Sequence, residues 1–315
     1  MKFIRHLRFF LFCGLVLYTT LLRGQDNSTT EQIEQCDREL ETISILSWNV
    51  FMLPPPFFRT HQIPRCKAII EFLNNSSYDV LVLQEIFYEK VRSKFVKGLI
   101  NCYPYHYGPC GTDKFLRQDG GVMIFSKYPI ESSQQIAFRD KCKGGDCFSD
   151  KGALLAEIVK NHKKIQIVGT HLQSMEDSIS QGIRVRQYEK IKQFLLRPFH
   201  REDVPQLIVG DLNTCKVTQR PFYKRMLDIF GAEDSHRSKK DKSDFTYDSD
   251  SNAIVKANHL KYQRFFDYVL FRRNPGRYFK ARDFVIHLFR KRDAHSKMAL
   301  ELSDHFAVEA VIEWE

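Results

Sequence analysis

Residues 206–213 read Gln-Leu-Ile-Val-Gly-Asp-Leu-Asn. The run 206–209 is apolar enough for a β-strand in the core of a sheet, and the polar residues Asp211 and Asn213 follow it after a glycine. A Gly-Asp-x-Asn sequence by itself is more often a turn than a catalytic motif, because Asn tolerates left-handed backbone geometry. The choice between these interpretations depends on whether other strands of the chain end in the same way.

Four more polar clusters lie next to predicted strands. Ser47-Trp48-Asn49, Gln84-Glu85 and Thr170-His171-Leu172 each end a strand, and Ser303-Asp304-His305 precedes the last one. Taken singly, each cluster is usually structural. Five of them in one chain indicate a functional site to which several strands contribute.

The chain alternates short apolar runs with amphipathic stretches, and no linker or repeat interrupts this pattern. We therefore predict a single α/β domain, a layered sandwich of sheets and helices. The predicted strands are residues 43–50, 80–84, 121–125, 152–159, 165–171, 206–209, 266–271 and 306–312, and the predicted helices are residues 65–73, 88–99 and 182–194.

The third helix, residues 182–194, shows the amphipathic pattern most clearly. The residues predicted to face the core are Ile183, Tyr188, Ile191 and Leu195. Those predicted to lie mainly outside are Arg184, Arg186, Lys190 and Lys192.

The composition is that of a water-soluble globular protein. Of the 315 residues, 43% are hydrophobic and 27% are charged, which excludes disorder, collagen-like repeats and polytopic membrane architecture. The formal net charge is +10, and the basic residues concentrate in segments 197–201, 236–242, 272–273 and 290–292. These segments indicate affinity for polyanions or anionic membrane surfaces, or are simply solvated loops.

The N-terminal residues 1–24 have the form of a secretory signal peptide. Basic residues within positions 2–8 precede an apolar run, residues 9–22. At about 1.5 Å per residue this run is short for a bilayer core of ~30 Å. A cleaved signal is therefore favoured over a signal anchor, and we expect a secreted protein with an N-terminal extension, residues 25–40, before a catalytic domain, residues 41–315.

The expected secretory route bears on glycosylation and on the cysteines. Sequons begin at Asn27, Asn74 and Asn75. Cys142 and Cys147 enclose a flexible Lys-Gly-Gly-Asp loop and are predicted to form a disulfide bond, with Cys102 and Cys110 as a second local pair and Cys215 as a free thiol.

Together the five polar clusters resemble the endonuclease/exonuclease/phosphatase superfamily, the DNase I-like metal-dependent phosphodiesterases. The matching residues are Asn49, Glu85, His171, Asp211-Leu212-Asn213 and Ser303-Asp304-His305. This resemblance implies a four-layer α/β sandwich, in which two packed mixed β-sheets are flanked by helices.

Within that superfamily the sequence is most similar to the secreted sphingomyelinase C branch, called neutral sphingomyelinases in animals. The likeness rests on Asp119-Gly120-Gly121-Val122, Ser149-Asp150-Lys151-Gly152, Gly169-Thr170-His171-Leu172-Gln173 with Glu176-Asp177-Ser178, and Phe266-Asp267-Tyr268. Lys151-Gly152 is the most diagnostic pair. The resemblance implies hydrolysis of sphingomyelin to ceramide and phosphocholine.

The predicted metal ligands are all oxygen donors: Glu85, Asn49, Asp211, Asn213 and Asp304. Such a set, without a Cys or His cluster, suits Mg²⁺ or Mn²⁺ rather than zinc. Glu85 is the leading direct ligand. Asn49 and Asn213 hold the phosphoryl oxygen or complete the metal shell, and Asp211 orients the attacking water or a second metal.

The predicted catalytic residues are His305, His171, Asp211, Asn213, Lys151 and Asp267. His305 is the expected general base, and Asp304 fixes its tautomer or contacts the metal. His171 stabilises charge on the reacting phosphate or protonates the leaving ceramide oxygen, because an imidazole pKa of ~6.5 suits either task.

The predicted substrate-binding residues are Asn213, Lys151 and His171. Lys151 neutralises a non-bridging phosphate oxygen. Asp267 is expected to orient His171, or is merely a buried hydrogen-bond acceptor.

The segment 284–302 departs from bacterial relatives, which carry an aromatic membrane-inserting hairpin at this place. Here it lacks tryptophan. Leu288 and Phe289, beside the basic residues 290–292, and residues 54–58 are candidates for docking at a membrane, or are packed loops.

A second metal site, peripheral to the first, would use Glu89 and Asp119. Gln118 stands where an acidic residue is expected for such a site.

These observations predict a secreted, monomeric sphingomyelin phosphodiesterase that meets its substrate at a membrane surface and has no stable nucleic-acid partner. Two alternatives remain open. One is a secreted DNase I-like nuclease, favoured by the basic charge, and the other is a non-catalytic membrane-binding protein of the same fold.

Overall fold

Two six-stranded β-sheets form the centre of the structure, a computed structural model that describes residues 42–55, 60–111, 118–234, 236, 245–259, 261–273, 279–292 and 299–314. The chain divides into two units, Met1–Thr42 and Ile43–Glu315. The predicted signal peptide, the N-terminal extension and the sequon at Asn27 lie outside the described residues.

The strands of the first sheet are β1 (Thr42–Asn49), β2 (Val80–Gln84), β3 (Tyr105–Tyr107), β5 (Met123–Ser126), β15 (Phe279–His287) and β18 (Ala307–Trp314). Those of the second are β6 (Ile130–Ala137), β8 (Gly152–Lys160), β9 (Lys163–His171), β10 (Gln206–Asp211), β11 (Ala232–Asp234) and β14 (Asp267–Arg272). Two-stranded sheets join β4 (Gln118–Asp119) to β7 (Ser149–Asp150), β12 (Tyr247–Asp248) to β13 (Gln263–Arg264), and β16 (Arg290–Arg292) to β17 (Ala299–Glu301).

The helices are α1 (Gln62–Asn74), α2 (Glu89–Leu99), α3 (Ser178–Ile191), α4 (Arg220–Phe230) and α5 (Ala253–Asn258). A π-helix, Lys192–Leu196, continues α3, and a short 3₁₀ helix spans Gly144–Phe148.

The order of strands is β15-β18-β1-β2-β5-β3 in the first sheet and β11-β14-β10-β9-β8-β6 in the second. Both sheets are mixed. At the centre of the first, β1 and β2 run parallel, and at the centre of the second, β9 and β10 run parallel. Because the carboxyl ends of parallel strands meet at one sheet edge, this pairing brings the predicted polar clusters together.

Alternating side chains place the two sheets face to face. In β1, Ile43 and Ile45 belong to the core between the sheets, whereas Leu46 and Trp48 pack on the other face, in a cluster that includes residues of α1 and α2. This period of two residues is what a strand buried on both faces requires.

The outer face of the second sheet packs on α3, the π-helix and α4. Ile208 of β10, for example, shares a buried cluster with Tyr188 and Met226. The structure therefore has four layers, helices on sheet on sheet on helices, and the predicted fold class is confirmed.

The two sheets lie close together at Gly169 in β9. A Cβ atom at this position would lie 2.9 Å from Cγ1 of Val82 in β2 and 3.3 Å from Cδ1 of Ile124 in β5. Only a residue without a side chain fits the distance between the sheets here.

Helix α3 confirms the predicted core row, since Ile183, Tyr188, Ile191 and Leu195 are all buried. The prediction for Arg184 is wrong. Its side chain is fully buried, and Nη1 donates to the carbonyl oxygens of Gln173 (2.8 Å) and Met175 (2.5 Å). A cation on an apparently polar helix face thus fixes the loop that precedes the helix.

Of the two predicted disulfides, the Cys142–Cys147 bond is present. The Cys102–Cys110 prediction is wrong, because the two thiols are free and face different neighbours: Cys102 Sγ lies 3.7 Å from the Asn74 carbonyl, and Cys110 Sγ lies 3.0 Å from the Ile136 carbonyl. Cys215 is free, as predicted, and buried.

In the segment 284–302, residues 293–298 lie outside the described residues, and the described aromatic residue Phe289 packs against other rings. The ring of Phe289 packs 4.1 Å from that of Phe72 and 5.1 Å from that of Trp48. Of the two interpretations of Phe289, a packed residue is therefore the correct one. Residues 56–58 of the other docking candidate, residues 54–58, lie outside the described residues.

Among the described residues, no helix is both long and apolar enough to cross a membrane.

Candidate active site

Strand register brings the predicted polar clusters to one edge of both sheets. In the first sheet Asn49 lies opposite Gln84, directly before Glu85. In the second sheet Asp211 lies opposite His171 on one side and Asp267 on the other.

An asparagine links the two sheets at this edge. Asn49 Nδ2 lies 3.0 Å from Oε1 of Glu85 and 3.2 Å from Oδ2 of Asp211. The second oxygen of Glu85, Oε2, is buried and has no hydrogen-bond partner among the described residues. A buried carboxylate oxygen without a partner is unfavourable unless a cation or a ligand group meets it.

Two candidate ligands occupy the left-handed region of backbone space, Glu85 with φ 58° and Asn213 with φ 49°. Such geometry is uncommon for residues other than glycine and tends to occur at functional sites. Asn213 is held there by two hydrogen bonds, from its backbone N to Oδ1 of Asp211 (3.0 Å) and from its Nδ2 to the Leu172 carbonyl (3.2 Å).

His305 pairs with Asp267, at 2.9 Å between Nδ1 and Oδ2, while its Nε2 lies 3.8 Å from Oδ2 of Asp211. Asp267 therefore orients His305, and the expectation that it orients His171 is wrong. Burial alone would lower the pKa of His305, but the charges of Asp267, Asp211 and Asp304 raise it well above the ordinary value. The aspartate fixes the imidazole with Nε2 free to face the reacting atoms.

His171 contacts Lys151, with 3.0 Å between the imidazole Nε2 and the ammonium. The same ammonium donates to the Leu172 carbonyl (2.7 Å) and pairs with Oδ1 of Asp146 (2.9 Å). Burial, together with the charges of Lys151 and His305, holds the pKa of His171 well below its usual value. The ring is therefore neutral, and since an ammonium can only donate, Nε2 accepts from it.

Two buried acidic groups, Asp211 and Asp304, and the partly buried Glu85 concentrate negative charge at this edge. Burial and the charge of Asp304 raise the pKa of Glu85 to about 7. Burial and Asp267 raise that of Asp211 to about 6, and burial raises that of Asp304. These carboxylates destabilise one another when ionised, and a cation among them would reverse that effect.

The donor set fits a hard divalent cation. Carboxylate and amide oxygens converge here, and the unpartnered Oε2 of Glu85 is available to a metal. Ligand atoms of Asp211, Asp267 and His305 also lie within 4.8 Å of one another. Because Asp267 and His305 already bond to each other, Glu85 and Asp211 are the better first ligands.

A cavity of about 970 Å³ opens onto these groups. The predicted site residues that line it are Glu85, Lys151, His171, Asp211, Asn213, Asp304 and His305. Asn49 and Asp267 lie behind this surface and touch the lining residues. The structure thus brings every predicted site residue into one cluster.

Sequence reasoning missed several residues of the site. Asp146 holds Lys151, and Tyr247 lines the cavity with its ring 4.9 Å from that of His305. Arg65, fully buried, donates to the carbonyl oxygens of Val50 (3.1 Å) and Leu302 (2.9 Å) and so ties together the loops that carry Asn49 and Asp304. None of these residues follows a predicted strand, so the strand-end pattern gave no signal.

At the predicted peripheral metal site, Asp119 is paired with an arginine. Its Oδ2 pairs with Arg92 at 2.5 Å, and its Oδ1 accepts from the backbone N of Gly121, while Glu89 is exposed. An arginine thus supplies the positive charge near this aspartate.

The chain matches the model of the Endonuclease/Exonuclease/phosphatase family over residues 46–305. That range starts within β1 and ends at His305, so it includes every candidate site residue. The chain belongs to this family.

Among family members, it is similar to a protein named sphingomyelinase C from Leptospira interrogans, with 32% identity over 72% of this chain and 43% of that protein. It is also similar to a phospholipase C from Staphylococcus aureus, with 31% identity over 78% of this chain and 77% of that protein. The chain thus spans less than half the length of the Leptospira relative.

A solved structure supports the family fold and bears on the metal. It is a variant of beta toxin from Staphylococcus aureus with bound magnesium ions, which matches with a TM-score of 0.71 and 26% identity over 86% of this chain and 99% of that one. A protein of this family with the same fold therefore holds magnesium.

Proposed function

We propose that this protein is a metal-dependent phosphodiesterase that hydrolyses sphingomyelin to ceramide and phosphocholine. The observation that carries the proposal is the joint placement, in one cavity, of an oxygen-donor cluster, the His305–Asp267 pair and the Lys151–His171 pair. These are the parts that hydrolysis of a phosphodiester needs: charge stabilisation, a base and a cation for the phosphate.

Glu85 and Asp211, with Asn49, Asn213 and Asp304 around them, would hold the cation, with magnesium as the leading candidate and manganese as the alternative. When bound, such a cation polarises a phosphoryl oxygen and stabilises the leaving oxygen. In the chain alone the charges of Asp267, Asp211 and Asp304 raise the pKa of His305, and a cation held among these carboxylates would lower it.

The side chains then share the proton and charge transfers. His305 Nε2 accepts the proton of the attacking water while Asp267 keeps the imidazole oriented. Lys151, which Asp146, Leu172 and His171 hold in place, supplies positive charge near the phosphate. Neutral His171 accepts from the Lys151 ammonium at Nε2 and so helps to hold that cation in the site, rather than acting as a protonated acid.

Sphingomyelin as the substrate is supported by the names of the relatives, sphingomyelinase C and phospholipase C. The nuclease alternative drew on the basic segments. In the structure Arg201, Arg273 and Arg290 of those segments pair with Glu157, Glu233 and Glu301, so part of that charge is neutralised locally and is not available for a polyanion.

We also propose that the protein is secreted and acts as a monomer at membranes. The basic and apolar N-terminal sequence supports the first point. Expression in a secretory host, with N-terminal sequencing of the product in the medium, tests cleavage near residue 24, and light scattering tests the monomer.

The proposed activity is tested with purified protein on sphingomyelin vesicles and, in parallel, on plasmid DNA, each with Mg²⁺ and with EDTA. We expect phosphocholine release that EDTA abolishes, and intact DNA. Cut DNA without phosphocholine release would keep the metal site and overturn the substrate. No reaction with either would leave the non-catalytic alternative.

A further inference from the structure

Four strongly exposed apolar side chains of the described residues lie on three neighbouring loops: one ends in the 3₁₀ helix Gly144–Phe148, one leads into the first turn of α3, and one follows β10. Exposure is 71% for Phe148, 61% for Ile179, 56% for Val217 and 49% for Met175. The first three values are the highest among the exposed apolar residues of the described part of the chain. We call these four residues the apolar rim. Exposed apolar groups that cluster in this way mark an interaction surface.

The rim is continuous with the candidate active site. Phe148 and Met175 line the same cavity as His171 and His305, and they also face solvent. They therefore stand at its mouth. A substrate whose phosphate reaches the centre of the cavity and whose tail is apolar would leave across these side chains.

Polar contacts hold the first two loops together beneath the rim. Gln173 exchanges two hydrogen bonds of 3.0 Å with the backbone of Lys143, and the Lys143 ammonium pairs with Asp177 at 2.8 Å. The backbone N of Ser174 donates to Asp146 at 2.6 Å. These contacts fix the position of the two loops while Phe148, Met175 and Ile179 remain exposed.

The third loop is joined to the second through Glu176. Its Oε1 accepts from Thr218 (3.3 Å) and from Gln219 (3.2 Å), on the C-terminal side of Val217. The preceding residue, Met175, has a positive φ of 70°. Left-handed backbone at a methionine is unfavourable, and Arg184 fixes it by donating to the Met175 carbonyl.

We propose that the apolar rim is the surface through which this protein docks on a lipid bilayer with phosphocholine headgroups. Phe148, Met175, Ile179 and Val217 enter the region between the headgroups and the acyl chains, and the cavity opens onto the membrane. The proposal rests on the proposed function, since a bilayer lipid is the substrate that needs such an approach. It differs from the earlier candidate at Phe289, which is partly buried and packs against Phe72 and Trp48.

The rim is tested first by binding without catalysis. Full-length protein is mixed with vesicles of phosphatidylcholine alone, and the bound fraction is measured by flotation. The I179S/V217S variant changes the two rim residues that do not line the cavity. A matched control, I100S/F194S, changes two apolar residues of 40% and 50% exposure outside the three loops.

We expect the partition coefficient of I179S/V217S to fall at least about tenfold, because binding scales with the apolar area that leaves water. The control variant should bind like the parent. Failure of the parent to bind these vesicles overturns the proposal, as does equal binding of I179S/V217S or an equal loss in the control.

A second experiment locates the contact. Tryptophan is introduced at position 179 in one variant (I179W) and at position 194 in another (F194W), and quenching by brominated phosphatidylcholine is measured. Quenching at 179 but not at 194 is expected. The opposite pattern shows that another face meets the membrane.

A third experiment distinguishes a failure of this proposal from a failure of the proposed function. Parent and I179S/V217S are assayed on vesicle sphingomyelin and on p-nitrophenyl phosphocholine, a water-soluble ester. The variant should be slower only on vesicles. If the parent hydrolyses neither substrate, the proposed function fails, while the flotation result still decides whether the rim is a membrane surface.

Discussion

Acidic residues flank strand β2 on both sides, Asp79 before it and Glu85 after it, and the two carboxylates have different surroundings. At the start of β2, Asp79 pairs with Lys160 at the end of β8, with 2.9 Å between oxygen and ammonium. At the other end of β2, Glu85 faces Asp211 and Asp304 and has an unpartnered buried oxygen. One end has a partner for its charge within the chain, and the other depends on a ligand.

This difference distinguishes charged residues that stabilise the fold from charged residues that serve the candidate active site. Glu157, buried in β8 away from the site, accepts from Gln166 and pairs with Arg201. Residues of the same chain balance the charge of Glu157, so no other molecule is needed. Buried charges that are paired stabilise a fold, whereas buried charges that repel one another must be maintained by selection for another property.

The largest expected effect is on turnover at the unpaired end. Glu85→Gln and His305→Ala should each lower the rate of sphingomyelin hydrolysis at least ~10²-fold, because they remove a cation ligand and a base. Glu85→Gln should not lower the free energy of unfolding at pH 8, since the raised pKa of Glu85 means that its charge destabilises the folded state there. Steady-state kinetics and urea titration check both. A folded variant with a near-normal rate would contradict the assignment.

The opposite outcome is expected at the paired end. Lys160→Ala leaves the charge of Asp79 buried without its partner and should destabilise the protein by about 3–5 kcal/mol. The rate per folded molecule should stay as in the parent. Unchanged stability in urea, or a rate that falls with the ammonium, would show that the two ends are not separate.

Magnesium should stabilise only one end. At a concentration of 100 times the dissociation constant it should add about 2.7 kcal/mol to the free energy of unfolding. Thermal denaturation with and without Mg²⁺ should show this gain for the parent and for Lys160→Ala, and a loss of it for Glu85→Gln and Asp211→Asn. An equal gain in all four proteins would place the ion elsewhere.

The smallest expected effect is a change in pH dependence at Glu157. Burial alone would raise its pKa, but Arg201 and Gln166 lower it below the ordinary value. This stabilisation is complete above the pKa of the unfolded chain and is lost as pH falls through the folded-state value. Glu157→Gln should therefore lose less stability than the parent between about pH 5 and pH 3, as measured by urea titration. A steeper loss in the variant would contradict the sign of the shift.

The site could be predicted from the sequence because its residues adjoin apolar strands. Asn49, Glu85, His171 and Asp211 end largely apolar runs that indicate buried strands without any knowledge of tertiary contacts. The partner of Asp267 could not be predicted, because it depends on the antiparallel register that sets Asp267 beside Asp211 and within reach of His305.

The elements that were missed have physical reasons of their own. Strand β6 reads Ile-Glu-Ser-Ser-Gln-Gln-Ile-Ala, is largely polar, and sits at a sheet edge where only β8 pairs with it. Helix α4 begins with Arg220 and Pro221 and buries only three side chains. Arg184 is buried because a loop preceding the helix covers it. The amphipathic pattern of the helix carries no information about where that loop lies, so the burial could not be predicted.

The close contact of the two sheets at Gly169 has a consequence for how such a protein can change over evolutionary time. Asn49, Glu85 and His305 come from the first sheet or its loops, and His171, Asp211 and Asp267 come from the second. The spacing of the sheets is thus also the spacing of the two halves of the reactive centre. A core substitution that adds or removes a methyl group between the sheets changes this spacing. Substitutions far from the site can therefore alter activity without changing a catalytic residue.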